Sequence, residues 1–434
     1  MNQIYSRFGK LALVNIASNL MIPLASLIDV AFLGHLSEIR HLAGVAIATV
    51  LFNYIYWTFG FLRMATTGTT AQARGRGDEQ EVQVILWRNC AIALLIGIAI
   101  LILQQPLGNL GFALLHTDIE ILESAQAYYD ALIWAAPATL INFVLFGWFL
   151  GNEQSKQVLL LSITDKGTNI ALDYLFIVKL GWSSAGAGGA TAISQYVNLL
   201  LGLCLSWQFV PWRKCNYVIS QICDFAQLKT VFALNRDILL RTWALVSALA
   251  LFTNLSSTFG TTILAANTLL LQVISIASYF IDGIAFATES LVGYLHGEAN
   301  YQQLAKLVKL AGVSSLAIGL SIAGLFCLFP AKLFGVLTNH EQVIVQVESY
   351  VLWLLPLLAF GAIAYMLDGY FLGLTAGKTI RNSMILSFLL GFLPLALVAA
   401  YLQNSQLLWL ALVCFMAARA ITLGLNVAKF FTFS

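Results

Sequence analysis

The stretch from Thr164 to Thr191, TDKGTNIALDYLFIVKLGWSSAGAGGAT, holds the residue types most able to do chemistry in this chain. It opens on the charged pair Asp165 and Lys166, carries Asn169 and Asp173 through an apolar run, leaves at Lys179 and returns through a Gly-rich turn. A carboxyl deep in a bilayer helix costs about 2.5 to 3.5 kcal/mol on insertion scales, so an acid kept there is read as functional. A second acid, Asp29, sits in the first apolar run, NIASNLMIPLASLIDVAFLG. Two such carboxyls sharing one cavity would be proton carriers, because desolvation and a like charge nearby both favour the protonated form. Asn169 lies one helical turn before Asp173 on the same face, and Thr191 comes early in the returning segment, where both can hydrogen-bond a carboxyl in either protonation state. The alternative is a structural Asp-Asn cluster that ties helices together. Pro23, one to two turns before Asp29, can bend its helix and serve as a hinge.

The second half of the chain has acids of its own: Asp282 and Glu289 in YFIDGIAFATES, and Asp368 in MLDGYFLG. Asp282 and Glu289 are two turns apart on one face. They would either line a second-half cavity, with or without a cation, or pair with Arg63 or Arg419. The aromatics Tyr54, Trp57, Trp148, Tyr279, Tyr365 and Tyr370 read as interface belt and packing residues.

The elements that must position these groups are membrane spans. Of 434 residues, 60% are hydrophobic and 10% charged, against roughly 25% charged in a soluble domain. Apolar runs fall at about residues 10–34, 43–67, 84–108, 124–149, 156–180, 184–210, 238–260, 262–293, 304–329, 344–373, 378–401 and 406–430, which makes about twelve spans. MNQIYSRFGK reads as a polar lead into the first span rather than a cleaved signal. Lys and Arg gather on one side, in segments such as ARGRGD, KTIRN and PWRKC, while the other side collects Arg40, Lys179 and Lys332. That asymmetry places both termini in the cytoplasm; the expected location is a plasma or inner membrane.

Residues 1–210 form a first six-helix bundle, 211–236 a cytoplasmic connection and 237–434 a second bundle. Ala43 set opposite Ala265 aligns LRMATTGTTAQARGRGD with IAFATESLVGYLHGEAN, and further on WAAPATLINFVLFGWFLG with WLLPLLAFGAIAYMLDGYFLG. Six spans per half imply parallel repeats, a transporter plan. On this register Asp29 meets Leu251, and the fifth span of the second half has no acid opposite Asp173. Asp29 lies about five residues from the end of its span and Asp173 about seven from its own, a depth difference of roughly 3 Å.

Other classes are disfavoured. No basic stripe with interleaved aromatics marks a nucleic-acid surface, no phosphate loop supplies nucleotide power, and no GxSxG or HExxH suggests an enzyme. The six cysteines, Cys90, Cys204, Cys215, Cys223, Cys327 and Cys414, lack zinc spacing and read as reduced, structural residues. His35 and His41 read as solvated loop residues rather than metal ligands.

With these motifs in hand, the chain resembles the multidrug and toxic compound extrusion (MATE) family, DinF-like branch. LIDVAFLGHL, NIALDYLFIVKLGWSSAGAGGAT, YFIDGIAFATESLVGYLHGEAN and MLDGYFLG carry the likeness over almost the whole length. The resemblance implies an all-α membrane protein of two six-helix bundles in a V. It implies an antiporter that exports cationic or amphipathic organic compounds against protons or sodium, with Asp29, Asn169, Asp173 and Thr191 as a first-half cation site. Of the two ions the reading favours protons and keeps sodium at the same four residues as the alternative. It expects no other cofactor, a monomer in the lipid bilayer, and no catalysis. A lipid-linked saccharide flippase is the competing function; it would want several cationic residues in its cavity, and only Arg63 and Arg419 lie inside spans.

Overall fold

The computed structural model describes residues 2–36, 38–114, 119–207 and 224–432. Among them there is no strand, and twelve long helical segments follow the expected runs. The first span is one helix, Asn2–Gly34, with Pro23 inside it. The others are Ile39–Gly75, Glu79–Ile102, Ile119–Gly151, 155–179, Ser183–Trp207, Phe225–Thr258, Thr261–Gly297, Tyr301–Leu328, Glu341–Gly373, Gly377–Leu402 and Ser405–Thr432. Eleven helices among the described residues are long and apolar enough to cross a membrane. The remaining one, 155–179, carries Lys156, Asp165, Lys166, Asp173 and Lys179, too many charges to pass on composition. The polar residues that make this span informative are what hide it.

Three details depart from the runs read along the chain. The second span breaks at Phe59–Gly60 into Ile39–Thr58 and Phe61–Gly75. The third ends at Ile102 and hands over to a short helix, Gln104–Leu114. The seventh begins at Phe225, so residues 225–236 are helix rather than connection. Hydropathy falls at Lys229 and Arg236, but backbone hydrogen bonding needs no apolar side chains and runs on past them. The rest of the expected connection, with Cys215 and Cys223, lies within 208–223, outside the described residues.

By contacts the chain divides into Ala17–Val231 and a second unit of Met1–Ile16 with Phe232–Ser434. The first helix therefore contributes to both. Arg7 lies over the Tyr294 ring at 4.3 Å, and a Cβ on Gly283 would meet the backbone of Ile16 at 2.7 Å. These sixteen residues, which fall within the expected first bundle 1–210, group by contacts with Phe232–Ser434. Within the second unit the core gathers Phe252, Trp409, Phe392 and Phe415. A polar knot there, Trp409 Nε1 to Asn267 Oδ1 at 2.9 Å and Asn267 Nδ2 to Ser256 Oγ at 2.8 Å, satisfies groups that have no water to turn to.

The repeat shows in the backbone. Residues with positive φ at turns recur at an offset of 222: Gly77 and Ala299, Glu153 and Thr375, Gly181 and Gln403. At the first pair Asp78 N donates to Ala73 O, and in the second half Asn300 N donates to Leu295 O. Asp78 then caps the next helix through Glu81 N, as Asn300 does through Gln303 N. Close helix contacts recur as well. A Cβ on Gly147 would meet Arg63 O at 2.4 Å, and one on Gly369 would meet Ala285 O at 2.5 Å.

Candidate functional site

In the first unit five spans bring polar side chains to one place. Asp29 lies five residues before the end of the first helix at Gly34. Asp173 closes the α-helical part of the fifth span, and a wider π-helical turn, Tyr174–Lys179, follows it directly; such turns recur at functional sites. The carboxyls of Asp29 and Asp173 lie within hydrogen-bonding reach of each other. Asp173 is 1% exposed and Asn169 3%, so neither relies on water. Asn169 Nδ2 donates to Asp173 Oδ2 at 3.0 Å and to Thr191 Oγ1 at 3.2 Å, while Thr191 Oγ1 donates to Ala187 O at 3.0 Å. Asp29, Asn169, Asp173 and Thr191 are thus brought together.

Tyr128, on the fourth span, was not anticipated. Its buried hydroxyl hydrogen-bonds with Thr49 and Thr191 and lies in the field of both Asp29 and Asp173. Along the chain it is one of two adjacent tyrosines in AQAYYDAL, and helical phase alone does not say which faces the acids. Both rings pack on Phe52, but the Tyr129 hydroxyl turns away from the acids and donates to Gln104 O at 2.8 Å.

Below the acids the polar ladder continues down the fifth helix. Asp165 Oδ1 accepts from Gln195 Nε2 at 2.8 Å and from Ser194 Oγ at 3.1 Å, and Asp165 Oδ2 faces Lys166 Nζ at 3.0 Å. Ser162 Oγ meets Ser18 Oγ at 2.5 Å. One turn per rung, 162, 165, 169 and 173 present one face.

Elsewhere in this unit His41 is no solvated loop residue. It lies in the first turns of the second span, and its Nδ1 meets Ser184 Oγ at 3.0 Å and Ser124 Oγ at 3.2 Å. Two neighbouring spans place hydroxyls there, which the chain order does not disclose. His35 Nδ1 meets Ala31 O at 2.7 Å. Cys90, Cys204, Cys327 and Cys414 are free thiols.

The second unit is equipped differently. Asp368 is 3% exposed and Arg419 is fully buried. Arg419 Nη2 donates to Asp368 Oδ2 at 2.6 Å, and Arg241 donates to the same oxygen. Arg419 also stacks over Tyr365 at 5.0 Å and Phe415 at 5.6 Å. Asp282 acts on Arg241 from the eighth span, and Glu289 is fully buried on the same helix. The carboxylate that Arg419 takes is therefore Asp368, not Asp282 or Glu289. Arg241, four residues into the run 238–260, is buried in this cluster. On the 222 offset, Asp29, Asp173 and Asn169 face Leu251, Leu395 and Gly391, while Asp368 faces Phe146. None of these four polar residues has a polar counterpart in the other half.

Acids and ion pairs kept inside a strandless set of long apolar helices serve the passage of ions or solutes through a bilayer, and the class so defined is a multi-pass membrane transporter. The MatE family model matches residues 15–175 and again 238–398, which is the repeat found in the backbone. The DNA damage-inducible protein F of Escherichia coli is 32% identical over 414 residues, 95% of this chain and 90% of that protein. A probable multidrug resistance protein NorM of Photorhabdus laumondii is 24% identical, over 86% of this chain and 83% of its own. Among solved structures, an outward-facing multidrug resistance MATE transporter of the MOP superfamily superposes with a TM-score of 0.86 at 20% identity, covering 98% of this chain and 95% of that one. A MATE crystal structure in the bent conformation gives 0.87 at 20% identity, over 99% and 96%. The chain belongs to the MATE family of multidrug efflux transporters, in its DinF-like branch.

Proposed function

We propose that the protein is a secondary antiporter that exports cationic or amphipathic organic compounds while protons enter through the first half, with both termini in the cytoplasm of a plasma or inner membrane. The observation that carries this reading is the meeting of Asp29 and Asp173 inside a membrane bundle. Two carboxyls in mutual reach hold one proton readily, and loss of that proton leaves a doubly anionic site that attracts an organic cation. Proton and cargo then exclude each other, and exclusion at one site is exchange. The relatives named for multidrug resistance support the cargo class.

Protons are favoured over sodium by how the amide is turned. Sodium needs several oxygens aimed inward at once, whereas Asn169 offers its NH₂ to Asp173 and Thr191. That is the arrangement a carboxylate wants. The flippase reading wants free cationic groups for phosphate, and Arg419 is bound to Asp368.

The test is transport by the purified protein in vesicles, with imposed proton or sodium gradients and a panel of cationic dyes. Export driven by a proton gradient without sodium is expected. Export that requires sodium and ignores the proton gradient would overturn the choice of ion, and no gradient-driven export of any dye would overturn the function.

A further inference from the structure

Asp368, on the tenth span, is shared by two guanidinium groups at a single oxygen. Arg419 of the twelfth span donates from Nη2 to Oδ2 at 2.6 Å, and Arg241 of the seventh donates to that same Oδ2. The other oxygen, Oδ1, is buried and accepts no hydrogen bond from the described residues, and the Nε–H of each arginine is buried with no acceptor among them. Arginine and carboxylate ordinarily meet fork to fork through two bonds, and here neither arginine does. One carboxylate holds two cations, each by less than its usual grip.

The remaining contacts of Arg419 are soft. Its Nη1 meets Met416 Sδ at 3.2 Å, a weak acceptor, and its guanidinium carbon lies 5.0 Å from the Tyr365 ring centroid and 5.6 Å from that of Phe415. Tyr365 stands three residues before Asp368 and Phe415 four before Arg419, so each helix presents its ring and its charged group on one face. Two aromatic faces and a carboxylate around one cation are the parts by which proteins recognise organic cations. None of these parts requires the cation to belong to the same chain.

If Arg419 withdraws, Asp368 keeps Arg241, so no buried carboxylate is left without a partner. A cation that takes the vacated place restores the charge that left, and the cluster carries the same charge with cargo as without. A flat, delocalised head is weakly hydrated and finds Oδ1 unused. Sodium needs several inward oxygens and gains little between two rings.

We propose that Asp368, Tyr365 and Phe415 form an organic-cation site in the second unit, suited to planar amidinium or guanidinium heads, and that Arg419 is its resident occupant, displaced when cargo enters. The inference rests on the reading of the protein as an exporter of organic cations. Asp368, Phe415 and Arg419 are buried while Tyr365 is partly exposed, so cargo enters past that ring. With no cargo present, the arginine keeps the cage closed to small ions.

The test is calorimetric titration of the full-length protein in detergent with benzamidinium chloride, a planar amidinium. A tethered group competes at an effective concentration of millimolar order, so removing it in Arg419→Met should tighten benzamidinium binding about tenfold. Arg419→Lys keeps a tethered cation and should stay near wild type. Tyr365→Leu added to Arg419→Met should cancel the gain. Should Arg419→Met fail to fold, Arg419→Gln carries the same expectation. In the wild type, saturating benzamidinium should make Arg419 reactive to phenylglyoxal, read by mass spectrometry, which an arginine with a purely structural role would not do.

No gain in affinity in the Arg419 variant, or an Arg419 that stays protected from phenylglyoxal at saturation, would overturn the proposal. The gain should be the same in the Asp29→Asn background; one that vanishes there belongs to the first-half acids and overturns it too. Binding is read without a gradient, so the two claims fail separately. Loss of all gradient-driven dye export with the gain intact strikes the exporter reading, and export without the gain strikes this site.

Discussion

Asn169 donates from one nitrogen to Asp173 Oδ2 at 3.0 Å and to Thr191 Oγ1 at 3.2 Å, joining the fifth and sixth spans through an amide. The other oxygen of Asp173, Oδ1, is buried and accepts no hydrogen bond from the described residues. The neighbouring carboxyl is that of Asp29, from the first span. One acid is held and the other completes the site.

Replacing either acid by its amide keeps the shape and removes the exchangeable proton. Asp29→Asn and Asp173→Asn should each abolish proton-driven dye export in vesicles while the protein still elutes as folded material in detergent. Wild-type export by both would sink the proton reading.

Removing the amide tests its donor role apart from the acids. Asn169→Ala leaves a buried carboxyl without its donor, a loss of about 1–3 kcal/mol. A lower melting temperature in detergent together with weakened export is expected; a melting curve that matches wild type would show that the hydrogen bond contributes nothing measurable.

In the second unit the buried cluster of Arg241, Asp368 and Arg419 makes a stability prediction. Asp368→Asn strands two buried guanidinium groups, and breaking a buried pair in this way costs about 3–5 kcal/mol. The variant should melt well below wild type, and the effect should be the same with or without sodium, because the place a cation would take is filled by arginine. A sodium-dependent rise in the melting temperature of the wild type that disappears in the variant would instead mark Asp368 as an ion site.

The repeat predicts paired packing effects. Gly147→Ala and Gly369→Ala each push a Cβ against a facing carbonyl, at 2.4 and 2.5 Å, and overpacking of this kind costs about 1–3 kcal/mol. Gly424→Ala is the control, since nothing lies within 4 Å of its Cβ position. Thermal unfolding of the three variants checks it; equal melting temperatures would show that the helices part freely.

The chain by itself determined the spans, the repeat and the acids. A bilayer demands about 20 apolar residues for each crossing, so the helices are written as runs. Their turns repeat because small residues, caps and positive-φ positions recur 222 residues apart. An acid inside such a run is too costly to be incidental, which is why Asp29 and Asp173 could be paired before any geometry was known. Even so, the fifth span defeats a purely apolar test, because the residues that matter in it are charged.

Tertiary structure decided which groups meet. Tyr128 and Tyr129 are neighbours with the same chemistry, and only the packing of the fourth span on the second and sixth turns one hydroxyl to the acids and the other to Gln104 O. Arg241 has no acid near it along the chain that it pairs with, and only the packing of three helices closes around it and gives it Asp368. Asp165 and Lys166 read along the chain only as a charged pair; the packing of the sixth span brings Ser194 and Gln195 to hold Asp165. Hydropathy and helical phase are properties of one segment, and these contacts are between segments. Their distances depend on how side chains on separate helices interlock, and no pattern along a single helix encodes that.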